Sequence, residues 1–383
     1  MKRCVLLWAA LCLGTGLFVR AWGGSVEVSG LVDIVHREGD KRSTVNNNLA
    51  GDSPFSDLRV KLFVDAWPSS RFGVLTELLY DESGGTVNVI RFDGAYAVFL
   101  GAGSPYLNVK VGKIPSPFGT WAPRAYSDKN SLIGLPLMYH YHTLARNDRI
   151  PANFDTLQAY RPLRSPGRGG GMPILYDNCW TNGLTLFGAS AKWEYNVGVQ
   201  RGTPSSMRAS TNNGFQVVGR VGFKPVIGLR LGASGAYGPY LIFGATGVPK
   251  GAQLEDFKQR LFGFDLEYGL RHLLFYSEFV RNHWDSPAFR DGLANTSWYI
   301  EWKYTFWPGL YGAVRYSGMR FDRVDNGKGA RVAWDNPVRR MESGVGYHIS
   351  TNARFKVVWQ YTYAEGDTVE RTDIIAGQVS VSF

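Results

Sequence analysis

After residue 23 the chain has no apolar run approaching the ~20 residues that a membrane helix needs, which excludes a helical membrane protein. Cysteine is scarce. Of the three, Cys4 and Cys12 fall in the N-terminal stretch, and a lone Cys179 cannot close an internal disulfide, so it is expected to be an inert thiol. The 383 residues would ordinarily suggest two domains, yet no Pro/Ser-rich linker or change of composition divides them. Nucleophile-elbow, zincin and Gly-rich phosphate-loop motifs are all missing, so no enzyme class is recognisable. The nearest approach to a metal set is His140-Tyr141-His142 with Asp148 or Asp155, a spacing that is not specific for zinc.

Lys2 and Arg3 followed by the apolar stretch Val5 to Val19, with Ala21 and Gly23 as small residues near a plausible cut, have the form of a secretory signal peptide over 1–23. Its removal takes away Lys2, Arg3 and Arg20 and lowers the net charge from +10 to +7. Basic excess can serve nucleic acid, anionic lipid or an anionic solute. Export argues against nucleic acid. The remainder, 24–383, is expected to form one domain.

Alternation with a period of two runs through that domain. Leu58, Val60, Leu62, Val64 and Ala66 fall on one face and Asp57, Arg59, Lys61 and Asp65 on the other, a pattern that no amphipathic helix produces. Comparable segments begin near Val26, Phe72, Ile90 and Leu107, with Ile90, Phe92, Tyr96, Val98 and Leu100 read as one outward face. The pattern then stops for some sixty residues and resumes near Thr181, and the segments total about sixteen strands. Short turns such as Trp67 to Ser70, Gly101 to Ser104 and Arg271-His272 alternate with longer polar stretches such as 202–213, 241–257 and 322–336. Membrane barrels have this asymmetry, short on the periplasmic side and long outside. Aromatics gather near strand ends (Trp67, Tyr80, Trp193, Trp307, Phe383), as two interfacial girdles require. A soluble β-core with aromatic cross-strand pairs is the competing reading.

The last segment, Asp373 to Phe383, alternates to the chain terminus and ends on an aromatic. Pairing it with the first strand removes both sheet edges, and in a bilayer that closure is obligatory. This ending resembles the terminal strand of Gram-negative outer-membrane β-barrels. The expected fold is all-β: a closed antiparallel transmembrane barrel of about sixteen strands with a long loop after the fifth.

A barrel of this size leaves a water-filled channel unless something narrows it. The segment 114–176 is the only loop long enough, and its apolar and aromatic content argues against disorder. Arginine forks and rings of basic side chains favour anions in a pore. The candidate pore and constriction residues are Arg59, Lys61, Arg91, Lys110, Lys113, Arg315 and Arg340 on the strands, and Arg124, Arg146, Arg149, Arg161, Arg164 and Arg168 in the loop. Wall charges of both signs nearly balance, so many are expected to form cross-strand ion pairs. An external lid or an oligomer contact is the alternative for the loop.

Val109 to Gly119 reads VKVGKIPSPFG, which resembles the strand-end motif of the phosphate- and polyphosphate-selective porin family. That resemblance implies a sixteen-strand trimeric channel with a pore lined by arginine and lysine, Lys110 and Lys113 matching in kind. The sequence thus leads to an outer-membrane porin, a passive channel for small hydrophilic or anionic solutes, in contact with lipid, with no cofactor and no catalytic residues. A barrel hydrolase and a closed structural or adhesive barrel with partner-binding loops are the alternatives.

Overall fold

The computed structural model describes residues 24–39, 53–82, 88–104, 106–161, 171–177, 180–206, 212–366 and 370–383. The expected leader 1–23, Arg164, Arg168 and Cys179 lie outside the described residues. The strands are β1 (Ser25–Gly39), β2 (Leu58–Ser69), β3 (Phe72–Glu82), β4 (Val89–Phe99), β5 (Asn108–Pro115), β6 (Trp180–Ala189), β7 (Trp193–Arg201), β8 (Gln216–Phe223) and β9 (Leu229–Pro239). They continue with β10 (Lys258–Leu270), β11 (Leu273–Trp284), β12 (Leu293–Trp307), β13 (Leu310–Phe321), β14 (Arg323–Asp325), β15 (Arg331–Ala333), β16 (Val338–His348), β17 (Ala353–Ala364) and β18 (Glu370–Ser382). Sixteen of them form a closed barrel in which β13 pairs with β16, while β14 and β15 pair only with each other as a small ribbon between those two.

Closure is antiparallel, with Val32 opposite Val381 and Ile34 opposite Val379. The terminal residue completes the seam. Gly30 and Phe383 exchange backbone hydrogen bonds of 2.9 and 3.1 Å, and a Cβ at Gly30 would stand 2.4 Å from the Phe383 ring. Alternation places the apolar side chains outside, where Ile90, Phe92, Val217, Phe264, Val357 and Ile375 are exposed. An exposed apolar band of this kind is what a membrane barrel turns toward acyl chains. Toward the short-turn ends aromatic rings cluster, with Phe72 against Phe99 at 4.8 Å and Trp193 against Phe223 at 4.4 Å.

One strand departs from simple alternation. In β4, Glu77 pairs with Gly94 but Leu78 pairs with Phe92, so Asp93 is an extra residue without a partner across the ladder. A bulge of this kind shifts the phase by one residue. Ile90 and Phe92 point outward as the alternation predicts, but Tyr96 and Val98 point inward, Val98 being buried, and Phe99 takes the outer face. The expected continuous outward face of β4 is corrected accordingly. The shifted phase suits Gly94, where a Cβ would meet the inward Trp180 ring at 2.5 Å.

The hydrophobic core lies inside the barrel. It is built from the segment after β5, including Trp121, Leu137, Tyr141 and Leu144, packed on inward residues such as Val280, Tyr299, Met319 and Val338 and on Tyr240, Leu241 and Trp334 from the long connections. A second cluster sets Leu132 and Ile133 on Val35, Val358, Ile374 and Ala376.

Candidate functional site

The segment between β5 and β6 starts at Ser116-Pro117-Phe118-Gly119, where Pro115 and Pro117 end the ladder and Gly119 turns the chain at φ +69°. It carries two short helices, α1 (Leu137–His140) and α2 (Phe154–Gln158). Its polar groups find partners on inward-facing side chains of distant strands. The Thr120 backbone N–H and hydroxyl both donate to Glu278 Oε1 at 2.7 Å, and the Tyr139 hydroxyl donates to Glu278 Oε2 at 2.5 Å. Burial pushes the Tyr139 phenol well above its usual range, and the Glu278 charge pushes it further, so it remains a donor.

Farther round the wall, Arg124 reaches Glu301 at 2.9 Å and the Tyr299 hydroxyl at 3.2 Å, with its guanidinium 3.5 Å from the centre of the Tyr276 ring. Burial alone would lower the Arg124 pKa, but Glu301 together with Tyr299, Tyr276 and Glu278 outweighs it and the net shift is upward. Arg315 donates to the Gly134 carbonyl at 2.6 Å while bound to Glu342 at 2.7 Å and Glu301 at 3.2 Å. Arg340 donates to the Leu135 carbonyl at 3.2 Å. Lys356 spreads its ammonium over the carbonyls of Ser127, Asn130 and Leu132 at 2.9, 3.2 and 3.1 Å. Tyr126 donates to Glu77 at 2.6 Å, and Ser127 donates to Asp33. The segment thus folds inward and is fastened to β1, β3, β11, β12, β13, β16 and β17.

The candidate residues divide into groups. Arg59, Lys61 and Arg91 face the lumen in ion pairs: Arg59 with Asp81 at 3.2 Å and Lys61 with Glu77 at 2.5 Å across strands, and Arg91 with Asp93 at 2.6 Å within β4. Arg315 and Arg340 are fully buried beneath the inward segment and serve as its anchors, without a surface on the open lumen. Arg146 and Arg149 hold Asp148, Arg146 by a fork of 2.8 and 2.9 Å. Arg161 contacts Gln158 and stands 3.7 Å from Asp335. Lys113 lies on the outer face: it pairs with the exposed Ala95, while its neighbour Gly112 pairs with the inward Tyr96, and its ammonium donates to the Phe92 carbonyl at 2.5 Å.

Lys110 behaves differently. It faces the lumen with its ammonium 4.6 Å from the centre of the Phe187 ring and 5.9 Å from that of Tyr96, and among the described residues no carboxylate lies within ion-pairing distance. It borders a cavity of about 870 Å³ between the β4–β11 side of the wall and residues 115–129, extending to the short-turn ends of β6 and β7. Basic residues lining it are Lys110, Arg124, Lys129, Arg220 and Arg230, against the carboxylates Glu194 and Glu267.

Strand alternation puts Glu278, Glu301 and Lys356 on the inward face but does not mark them as fastenings for the loop. The available signal was a run of inward charges on strands opposite a loop rich in carbonyls. The histidine pair forms no metal site. His140 is buried near Arg340, Asp148 is taken by arginines and Asp155 by Lys328 at 3.0 Å, and among the described residues no group of three or more His, Cys, Asp or Glu side chains is placed to hold a metal.

No protein-family model and no curated relative matches the chain. Solved structures do. The anion-selective porin from Comamonas acidovorans matches with a TM-score of 0.59 at 8% identity, covering 94% of this chain and 100% of that one. The outer-membrane channel DcaP of Acinetobacter baumannii gives 0.58 at 11%, and Salmonella typhi OmpF, solved with daunomycin, gives 0.57 at 13%, each covering 96% of this chain and 100% of the other. With an exposed apolar band around a closed sixteen-strand sheet, the chain has the β-barrel fold of the Gram-negative outer-membrane porins.

Proposed function

We propose that the protein is a passive diffusion channel for small hydrophilic solutes, narrowed by the segment 116–176 and biased toward anions. The supporting observation is the lining of the cavity, five basic side chains against two carboxylates. Arg124 is neutralised by Glu301 at 2.9 Å, Lys129 by Asp128 at 3.0 Å, Arg220 by Asp265 at 2.6 Å and Glu194 at 2.6 Å, and Arg230 by Glu267 at 3.0 Å, so the excess positive field comes from Lys110. An uncompensated positive charge beside low-dielectric walls raises the local anion concentration. On this reading Lys110 tunes selectivity, whereas Arg315 and Arg340 shape the passage indirectly by holding the loop. A homotrimer is the proposed assembly.

Purified protein in a planar bilayer tests this. The expected result is stepwise conductance, with closures in threes for a trimer, and a reversal potential in a potassium chloride gradient of the sign set by chloride. Lys110→Glu is expected to move it toward the potassium side. No current at all would favour a closed barrel, and a cation-selective wild type would refute the anion bias.

A further inference from the structure

We propose that the cavity around Lys110 is a binding station for planar aromatic carboxylates, which it holds more tightly than aliphatic or inorganic anions of the same charge. The inference rests on the channel reading above for its role in transport, but the site itself stands on local geometry. Tyr96 of β4, Lys110 of β5, Phe187 of β6 and Asn196 of β7 come to neighbouring inward positions, because Lys110 pairs with Thr185 and Phe187 pairs with Asn196. The bulge at Asp93 is what turns Tyr96 into this group. The Trp180 ring lies 6.2 Å from that of Tyr96 and lines the same cavity.

The cavity therefore joins an ammonium without a carboxylate partner to a wall of aromatic faces. A carboxylate arriving at Lys110 gains a charge-assisted hydrogen bond and displaces no resident counter-ion. Its ring then rests on Phe187, Tyr96 or Trp180, burying apolar surface and gaining the edge or offset contacts that aromatic pairs prefer. Thr185 and Asn196 line the same cavity. Chloride and acetate can use the charge but not the rings. The cavity volume of about 870 Å³ falls within the ~300–1,000 Å³ usual for small-molecule sites.

The test measures binding on the full-length barrel in detergent, by titration calorimetry with benzoate, cyclohexanecarboxylate and acetate, and in parallel the block of chloride current by the same three probes. Expected is the order benzoate, then cyclohexanecarboxylate, then acetate. Lys110→Met, which keeps the side-chain bulk, is expected to weaken benzoate about ten-fold, as loss of one charge-assisted contact does. Phe187→Leu is expected to reduce the advantage of benzoate over cyclohexanecarboxylate, and Phe187→Leu with Tyr96→Leu to reduce it further, while both retain carboxylate binding. Equal binding of benzoate and acetate, or benzoate binding untouched by Lys110→Met in a variant that keeps the wild-type heat-modifiable gel shift, would overturn the proposal. Absence of ion current with calorimetric benzoate binding intact would instead overturn the channel reading and leave the site standing.

Discussion

Phe383 and Gly30 meet at the one seam that the chain has to close with its two ends. The ring fills the space that a side chain at residue 30 would need, and the two backbones bond to each other there. Gly30→Val should therefore cost about 1–3 kcal/mol through overpacking, and should reduce the fraction of barrel that resists unfolding in unheated detergent gels. Arg315 is a second residue on which much depends, since it is fully buried between Glu301 and Glu342 and also holds the Gly134 carbonyl. Arg315→Met leaves Glu342 in the interior without its cation. Breaking one side of a buried pair costs about 3–5 kcal/mol, so a lower urea midpoint is expected together with a larger, noisier conductance as the loop loosens. An unchanged midpoint would show that Arg315 is dispensable as an anchor.

Among the elements, the segment after β5 decides the interior, and it is held by two kinds of contact. Apolar side chains pack against inward wall residues, and loop carbonyls and hydroxyls satisfy charges on β11 to β17. At its outer part Asp148 bonds to Arg146 and Arg149, while Ile150 N–H donates to the Thr246 carbonyl at 2.8 Å. Burial raises the Asp148 pKa, but the two guanidiniums outweigh it and hold the carboxyl below its ordinary value. A depressed carboxyl contributes stability that is fully present above about pH 4, its unfolded value, and is lost as pH falls through the folded one. Protection factors of residues 146–150, exchange being corrected for its intrinsic pH dependence, should thus be flat from neutral pH down to about 4 and fall in more acidic buffer. Asp148→Asn should exchange faster at neutral pH and show little further acid dependence, whereas an acid response equal to the wild type would refute the assignment. At this scale the sequence was partly legible: the sixteen barrel strands follow from alternation within a few residues at each end. The bulge at Asp93 was not. An extra residue in a ladder leaves no mark in one strand's own pattern, because it is defined by what pairs across from it.

For the molecule as a whole, the sequence by itself determined the closed barrel. A period of two, apolar outer faces, alternating short and long connections and a terminal strand needing a partner are local properties, and in lipid the backbone has no other way to satisfy its hydrogen bonds. The tertiary structure decided which charges meet solvent. Inward polarity is readable strand by strand, but Arg315 and Gly134 are 181 residues apart, and whether an inward arginine lines open lumen or is sealed beneath a loop depends on where that loop comes to rest. For the same reason Lys110 stands out only in three dimensions, among rings brought together from β4 and β6, because ion pairing is a property of neighbours in space and the sequence lists neighbours along the chain.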